Sequence, residues 1–184
     1  NLGAYGDAGI VTTDDEALAK KLRALKEHGG TTRYVHDSIG WNSRLDALQA
    51  AILSVKLRYL DEWTEARRAN AALYKLLFER RPVAAVKLPV TAPYASRHVT
   101  NQFVIRCERR DELRHYLAQR GIGSEIYYPI PLHLQTCFEY LGYAAGSFPV
   151  SERLSKETLA LPVHPELTRE DVERVVDTIA EFYG

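Results

Sequence analysis

The sequence predicts a mixed α/β protein in two pieces, and three observations lead to that prediction. Apolar residues recur at helical spacing in several stretches of ten or more residues. Residues 100–128 carry strand-like and helical patterns in the order strand, helix, strand. A stretch with several prolines, residues 82–96, separates this module from a long helical pattern. We therefore expect residues 1–81 and 82–184 to form separate pieces.

The first piece is predicted to contain one strand and two helices. Residues 10–13, IVTT, are rich in β-branched side chains and indicate a strand. The capping-box pattern of residues 13–16, followed by leucines at helical spacing, predicts a helix over residues 14–27. Residues 31–42 are polar and turn-rich, with no clean period. An apolar stripe then predicts one continuous helix over residues 45–78.

The second piece is predicted to contain two strands and three helices. These lie at residues 100–106 (strand), 111–120 (helix), 124–128 (strand), 150–159 (helix) and 168–183 (helix). The last helix has a continuous apolar face, which indicates a core position. Residues 129–135, PIPLHLQ, are extended at both prolines, so the side chains around them stand on a stiff backbone suited to binding.

Charge and composition narrow the class of partner. The chain has 184 residues, with 24 basic and 24 acidic side chains and a formal net charge of zero. This balance argues against nucleic acid or an anionic membrane as the partner and favours a small molecule or a protein. No apolar run is long enough to span a bilayer. Cys107 and Cys137 indicate neither a disulfide framework nor a metal site, so we expect a cytoplasmic protein.

The glycines at positions 3, 6 and 9 form a possible phosphate-binding turn, because such a loop can expose backbone N–H groups. The spacing matches neither the P-loop nor the dinucleotide fingerprint. A tight turn that leads into a strand explains it equally well.

Asn42 and Arg44 lie just before the long predicted helix. Helix N-termini attract anions, and an amide beside a guanidinium suits a phosphate or a carboxylate. The alternative is structural, with Asn42 or Ser43 as the helix cap and Arg44 paired with Asp46 or another neighbour. Local physics alone leans towards the structural role.

Tyr127, Tyr128 and His133 bracket the proline-stiffened segment and offer phenol and imidazole groups for hydrogen bonding or proton transfer. Taken singly, each such residue is more often part of a surface or a core. Among the other histidines only His36 lies in a polar loop, close to Tyr34. No spacing indicates a catalytic nucleophile.

Four segments, in order, carry a resemblance to a known family. They are residues 1–9 (NLGAYGDAG), 40–51 (GWNSRLDALQAA), 126–135 (IYYPIPLHLQ) and 161–167 (LPVHPEL). Together they resemble the DegT/DnrJ/EryC1/StrS nucleotide-sugar aminotransferases. The resemblance implies a pyridoxal-phosphate-dependent homodimer of the type I (aspartate aminotransferase) fold, with active sites at the subunit interface. Residues 1–81 would end the large domain, and residues 82–184 would form the small C-terminal domain.

The resemblance also assigns the cofactor site. In the family, the lysine that binds the cofactor stands immediately before the segment that matches Asn1. We therefore expect the catalytic lysine just upstream of this chain and none within it, with a cut at a modified lysine favoured over a true truncation. Asn42 and Arg44 match positions that reach across the dimer to the cofactor phosphate of the neighbouring subunit. We therefore expect Asn42 and Arg44 to bind the cofactor phosphate.

The same comparison implies substrate-binding residues. Tyr127, Tyr128 and His133 match the segment that lines the sugar-nucleotide pocket. Many family members have histidine where this chain has Tyr127, a difference that would alter which sugar is accepted. Tyr34 and His36 match a loop that enters the same interface.

The implied reaction transfers an amino group from L-glutamate to a keto carbon of a nucleoside-diphosphate sugar. The segments at residues 101–103 and 125–128 look most like members acting on dTDP-linked 3- or 4-keto-6-deoxyhexoses. One alternative is a sugar 3-dehydratase that uses the same cofactor with histidine in place of the lysine, and the form of residues 1–7 favours the aminotransferase. The other is a non-catalytic binding or regulatory protein. Asn42 and Arg44 argue against it, since such a protein needs no phosphate clamp.

Overall fold

The computed structural model describes residues 1–184, which form six helices and five short strands. They divide into two compact units. The N-terminal unit is Leu2–Leu60, and the C-terminal unit is Asp61–Gly184 together with Asn1. No helix combines the length and the apolar character needed to cross a membrane.

Helix α1 (Glu16–Lys26) confirms the first predicted helix, but the predicted capping box does not form. The cap is Asp15, whose carboxylate accepts hydrogen bonds from the N–H groups of Ala17 and Leu18 at 2.8 and 3.0 Å. The hydroxyl of Thr13 instead accepts a hydrogen bond from the N–H of Asp15 at 3.1 Å. Aspartate is among the best N-caps, which accounts for the start of the helix directly after Asp15.

The strand predicted at residues 10–13 is wrong, because these residues pair with no other strand and a strand needs a hydrogen-bonded neighbour. Ile10 is 89% exposed. The polar stretch predicted as irregular contains a hairpin instead, formed by strands β1 (Gly30–Thr32) and β2 (Val35–His36). At its turn Tyr34 has a φ of 67°, the left-handed conformation that favours a tight reversal.

Two helices replace the single long helix predicted over residues 45–78. They are α2 (Ala47–Lys56) and α3 (Leu60–Arg80), with a turn of 3₁₀ helix, Leu57–Tyr59, between them. The prediction of one continuous helix is wrong at this turn. A 3₁₀ turn is so short that the apolar stripe runs through it without a visible change of period.

The C-terminal unit is built on a three-stranded antiparallel sheet. Its strands are β3 (Val86–Lys87), β4 (Phe103–Cys107) and β5 (Thr158–Leu161), with β4 in the centre. Of these, β4 was predicted. Strand β3 lies in the stretch predicted as a linker, and β5 begins where helix α5 (Pro149–Glu157) ends, although that helix was predicted to continue to residue 159.

The second predicted strand, residues 124–128, is also wrong. It contributes a single bridge, between Glu125 and Ala160 of β5. The prolines at positions 129 and 131 lack the N–H that a ladder requires, so pairing stops as the chain approaches them.

Two more helices, α4 (Arg110–Gln119) and α6 (Arg169–Tyr183), complete the C-terminal unit and confirm two predictions. The apolar face of α6 lies in the core as expected. The largest fully buried side chains are Tyr74, Phe103, Ile105, Leu113, Leu117, Leu159, Ile179, Val172 and Val176. The rings of Tyr74 and Phe103 stack with their centroids 4.8 Å apart.

The two compact units meet in sequence at Leu60, N-terminal to the boundary predicted between residues 81 and 82. The reason is that α3 contributes Ala71, Tyr74 and Phe78 to the core of the C-terminal unit. The assignment of residues 1–81 to a large domain and of residues 82–184 to a small one stays a prediction.

Candidate functional site

The backbone before α2 is fixed against the end of α1. The N–H of Trp41 donates to a carbonyl of the last turn of α1 at 2.7 Å, and the N–H of Ser43 donates to the next carbonyl at 3.0 Å. Asn42 forms a backbone bridge with Glu27. The backbone from Trp41 to Ser43, which carries Asn42 and leads to Arg44, is therefore held against the C-terminal end of α1.

Two glycines allow the backbone near residue 29 to pack closely against the backbone at residues 38–40, just before Trp41 and Asn42. A Cβ at Gly29 would lie 1.8 Å from the carbonyl oxygen of Ser38, and one at Gly40 would lie 2.2 Å from the Gly29 nitrogen. Gly29 also has a φ of 78°, which side chains rarely adopt. The sequence analysis did not reveal that these two glycines allow the backbone at residues 29 and 40 to come into contact.

The side chains of Asn42 and Arg44 are exposed and make no hydrogen bond or ion pair within the chain. The structural alternative is wrong for the cap, because α2 is capped by Asp46, which makes no side-chain capping bond. Arg44 forms no ion pair with Asp46. The pKa of the Glu27 carboxyl is lowered mainly by its hydrogen bond from Lys26, and the charge of Arg44 adds to that effect. The amide of Asn42 and the guanidinium of Arg44 are available to a ligand, and their binding role stays a prediction.

The hairpin presents two further predicted site residues. Tyr34 is 83% exposed, and the guanidinium of Arg33 lies 4.9 Å from its ring centroid. The Nδ1 atom of His36 lies 3.1 Å from the carbonyl oxygen of His28, which fastens that imidazole to the hairpin. Tyr34 is therefore the more available of the two for contact with another subunit.

The glycine-rich opening is held by side chains of α2. The N–H of Tyr5 donates to the side-chain oxygen of Gln49 at 2.9 Å, and the Gln49 amide donates back to the carbonyl of Tyr5 at 3.0 Å. The ammonium of Lys56 donates to the carbonyl of Gly3. These bonds engage one N–H and two carbonyl groups of the opening, and both interpretations of its glycines stay predictions.

The C-terminal unit has an open, mostly apolar cavity of about 910 Å³. One wall is formed by residues 127–132 with Gln135, and the other by residues 147–151 with the following face of α5. Tyr127 and Tyr128 both line it, as the sequence led us to expect, and their rings meet edge to face at 5.7 Å. We call it the tyrosine cavity.

His133 lies behind one wall of the tyrosine cavity and is not among the residues that line it. Its side chain is only 7% exposed, and its Nε2 donates a hydrogen bond to Glu152 at 3.0 Å. The ring of Phe148 packs edge to face against it at 4.8 Å. In this structure the imidazole is engaged within the fold, and the direct substrate contact predicted for His133 stays a prediction.

Glu152 is a residue that sequence reasoning missed. Besides His133, its carboxylate accepts the N–H of Gly146 at 2.9 Å to each oxygen and the N–H of Phe148 at 3.2 Å. These bonds, the one from Gly146 first, hold the pKa of the Glu152 carboxyl below its ordinary value of 4.5. The available signal was an acidic residue in the first turn of a helix that starts with Pro149.

The remaining candidates from the sequence are a metal site and the two cysteines. No group of three or more His, Cys, Asp or Glu residues is placed to hold a metal ion. Both cysteines are unpaired, Cys107 buried and Cys137 exposed. Burial raises the pKa of the Cys107 thiol to about 11, which keeps it protonated near neutral pH.

Comparison with solved structures identifies the class of protein. The chain superposes on the X-ray crystal structure of Streptomyces venezuelae DesV in complex with a ketimine intermediate with a TM-score of 0.92 and 41% sequence identity. The match covers 99% of this chain and 48% of that one. A second aminotransferase structure, from Brucella abortus, gives a TM-score of 0.88. The predicted fold class, that of the pyridoxal-phosphate-dependent aminotransferases, is confirmed.

The family follows from the sequence. Residues 1–180 match the model of the DegT/DnrJ/EryC1/StrS aminotransferase family, so the chain belongs to that family. It is 49% identical to a pleiotropic regulatory protein of Geobacillus stearothermophilus, with 100% of this chain and 49% of that protein covered. It is 42% identical to a dTDP-3-amino-3,4,6-trideoxy-alpha-D-glucose transaminase of Streptomyces venezuelae, with 99% and 47% covered. The chain spans about half the length of the curated relatives it matches.

Proposed function

We propose that the protein is a pyridoxal-phosphate-dependent nucleotide-sugar aminotransferase. It transfers the amino group of L-glutamate to a keto carbon of a nucleoside-diphosphate sugar, with a dTDP-linked 3- or 4-keto-6-deoxyhexose favoured. Family membership supports this, and the observation that carries it is that the side chains of Asn42 and Arg44 are exposed and make no hydrogen bond or ion pair within the chain. Two unpaired cysteines are in keeping with a cytoplasmic enzyme.

The side chains present fit the phosphate of this cofactor. Arg44 offers a positive, forked set of donors, and Asn42, two residues earlier in the sequence, offers an amide. Both precede α2, where the side chain of the capping residue satisfies none of the exposed N–H groups. When bound, pyridoxal phosphate supplies an electron sink for the carbon that carries the amino group.

The other site residues take roles around that phosphate. In a homodimer, Asn42 and Arg44 hold the phosphate bound in the partner subunit, and Tyr34 and His36 contribute to the same interface. The exposed edges of Tyr127 and Tyr128 contact the sugar nucleotide. The proton-transferring lysine is expected immediately before Asn1.

Cofactor retention tests the proposal. The purified protein, with the lysine expected before Asn1 in place, is equilibrated with pyridoxal phosphate, and the bound fraction is followed by absorbance during dialysis. Arg44→Ala should weaken retention about 10- to 100-fold, the loss expected for a hydrogen-bonded charge contact. Arg23→Ala, in the last turn of α1, removes the same charge elsewhere in the N-terminal unit and serves as the matched control. Unchanged affinity in Arg44→Ala would refute the phosphate role, and a protein that binds no cofactor would overturn the enzyme proposal.

A second candidate function is a regulatory protein that retains the fold, because one relative with 49% identity carries a regulatory name. Incubation with L-glutamate and a panel of keto-sugar nucleotides separates the two. Formation of 2-oxoglutarate and an aminated sugar supports the aminotransferase and identifies the substrate. Absence of both cofactor binding and turnover on every member of the panel supports the regulatory candidate.

A further inference from the structure

We propose that Glu152 is a positioning residue that sets the shape of the tyrosine cavity and thereby the binding of the nucleotide sugar. This inference rests on the proposed function. Glu152 does not line the cavity, and it acts through the backbone and the side chain of the segment that does.

The geometry places one carboxylate at the meeting point of the two walls. Its three partners are the N–H groups of Gly146 and Phe148 and the imidazole of His133. His133 belongs to the segment that forms the first wall, and Phe148 belongs to the second. Since all three donors converge on one side chain, the carboxylate ties both walls to the first turn of α5.

The environment of Glu152 favours a charged, well-ordered clamp. Its side chain is 19% exposed, and it lies where the dipole of α5 favours a negative charge. The ring of Phe148 packs on His133 and also, at 4.9 Å, on Tyr143. Loss of the carboxylate would leave the two N–H groups and the imidazole without their partner and would release both walls together.

A carboxylate is suited to this role because it can accept from all three donors at once. All three donors reach the Oε1 atom, and only Gly146 also reaches Oε2, so a glutamine oxygen at the Oε1 position can still accept from Gly146, Phe148 and His133. Alanine keeps none of these contacts. Glu152→Gln should therefore retain most of the clamp, whereas Glu152→Ala should remove it.

The reaction with glutamate and the reaction with the nucleotide sugar are two halves of the proposed transfer, and they need different binding surfaces. The nucleotide sugar needs a shaped surface for its nucleoside diphosphate, and glutamate carries no such group. The predicted phosphate contacts of Asn42 and Arg44 belong to the N-terminal unit. Loss of the Glu152 contacts should therefore weaken the reaction with the nucleotide sugar. The reaction with glutamate and the retention of the cofactor should persist.

The test uses the protein with the lysine expected before Asn1 in place and compares Glu152→Ala, Glu152→Gln and the control Glu173→Ala, which removes a partly exposed carboxylate on α6. Calorimetric titration with dTDP and UDP measures nucleotide binding directly, and single-turnover absorbance changes with L-glutamate measure the other half. We expect Glu152→Ala to weaken nucleotide binding and raise KM for the keto-sugar nucleotide about tenfold, the effect of one lost charge-assisted contact. The glutamate half should stay within twofold, Glu152→Gln should recover most of the loss, and the control should match the parent protein.

Normal nucleotide affinity and KM in Glu152→Ala would overturn the positioning role. So would an equal loss of both halves in Glu152→Ala and Glu152→Gln, because that pattern describes general damage to the fold. If the parent protein neither reacts with glutamate nor binds dTDP or UDP, the proposed function itself has failed. A parent protein that does both, with normal Glu152 variants, refutes this inference alone.

Discussion

The two compact units of the chain differ in what their side chains bury. In the C-terminal unit, β4 and helices α3, α4 and α6 enclose a continuous apolar core. In the N-terminal unit only Gly29 is buried, and neither α1 nor α2 has a buried residue. Large apolar side chains there face outward, among them Ile39 at 92%, Leu48 at 73% and Trp41 at 64% exposure.

The difference shows where each unit obtains its stability. The C-terminal unit packs around its own core, whereas exposed apolar side chains such as those of the N-terminal unit are typical of a surface that another segment or another protein covers. The predicted cofactor residues Asn42 and Arg44 are exposed in the same unit.

The largest contrast should come from matched apolar truncations in the 184-residue chain. Ile105 is fully buried in β4, so Ile105→Ala should lower the free energy of unfolding by about 2–5 kcal/mol. Leu48 on α2 is mostly exposed, so Leu48→Ala should change it by about 0.5 kcal/mol or less. Urea unfolding followed by circular dichroism measures both. Equal losses would show that the N-terminal unit has a core of its own.

A smaller contrast should separate two helix caps. Thr168 forms a complete capping box with Asp171 at the start of α6, so Thr168→Ala should cost about 1 kcal/mol of stability. Asp46 makes no capping bond at the start of α2, so Asp46→Ala should cost only a few tenths of that. Thermal unfolding of the two variants provides the comparison. A larger loss for Asp46→Ala would reverse the ranking of the two helix starts.

The same capping box predicts an acid dependence. Hydrogen bonds from the N–H and hydroxyl of Thr168 hold the pKa of Asp171 below its ordinary value of 3.8. A lowered native pKa means that the ionised group stabilises the fold above pH 3.8 and that this contribution is lost as pH falls through the native pKa. Asp171→Asn should therefore destabilise the chain near neutral pH and make its stability less sensitive to acid. A parallel pH profile for the two proteins, measured by urea unfolding, would contradict this.

The smallest effect on stability is expected from breaking surface ion pairs, and it should be equal in the two units. Exposed ion pairs at (i, i+4) spacing join Glu16 to Lys20 on α1 and Glu173 to Arg169 on α6, at 2.9 and 2.8 Å. Because both pairs are solvated, replacing Lys20 or Arg169 with alanine should cost about 0.5 kcal/mol or less in either unit. Loss of a larger amount in α6 alone would indicate that its surface charges are coupled to the core.

The fold could be predicted where a pattern is long or strongly periodic. Leucines at helical spacing reveal α1, and the valine-rich face of α6 reveals a core helix. Strand β5 could not be found in this way, because its four residues follow α5 with no turn between them. Strand β3 has two residues, too few to establish a period.

The candidate site also contains residues that the sequence could reveal and one that it could not. Asn42 and Arg44 were found through a family resemblance, since local physics leaned towards capping, and the structure leaves both side chains free of such roles. Glu152 was missed because its partners Gly146 and His133 lie 6 and 19 residues away. No periodicity connects residues at those separations, so only the folded chain brings them together.

The outward-facing apolar surface of the N-terminal unit also governs the behaviour of the chain in solution. With 24 basic and 24 acidic residues, molecules of the chain repel one another only weakly at neutral pH. Attraction between apolar surfaces is then nearly unopposed, and the isolated chain should associate as its concentration rises. Added acidic residues on the solvated faces of α4 or α6 would restore repulsion between molecules without touching the predicted cofactor residues.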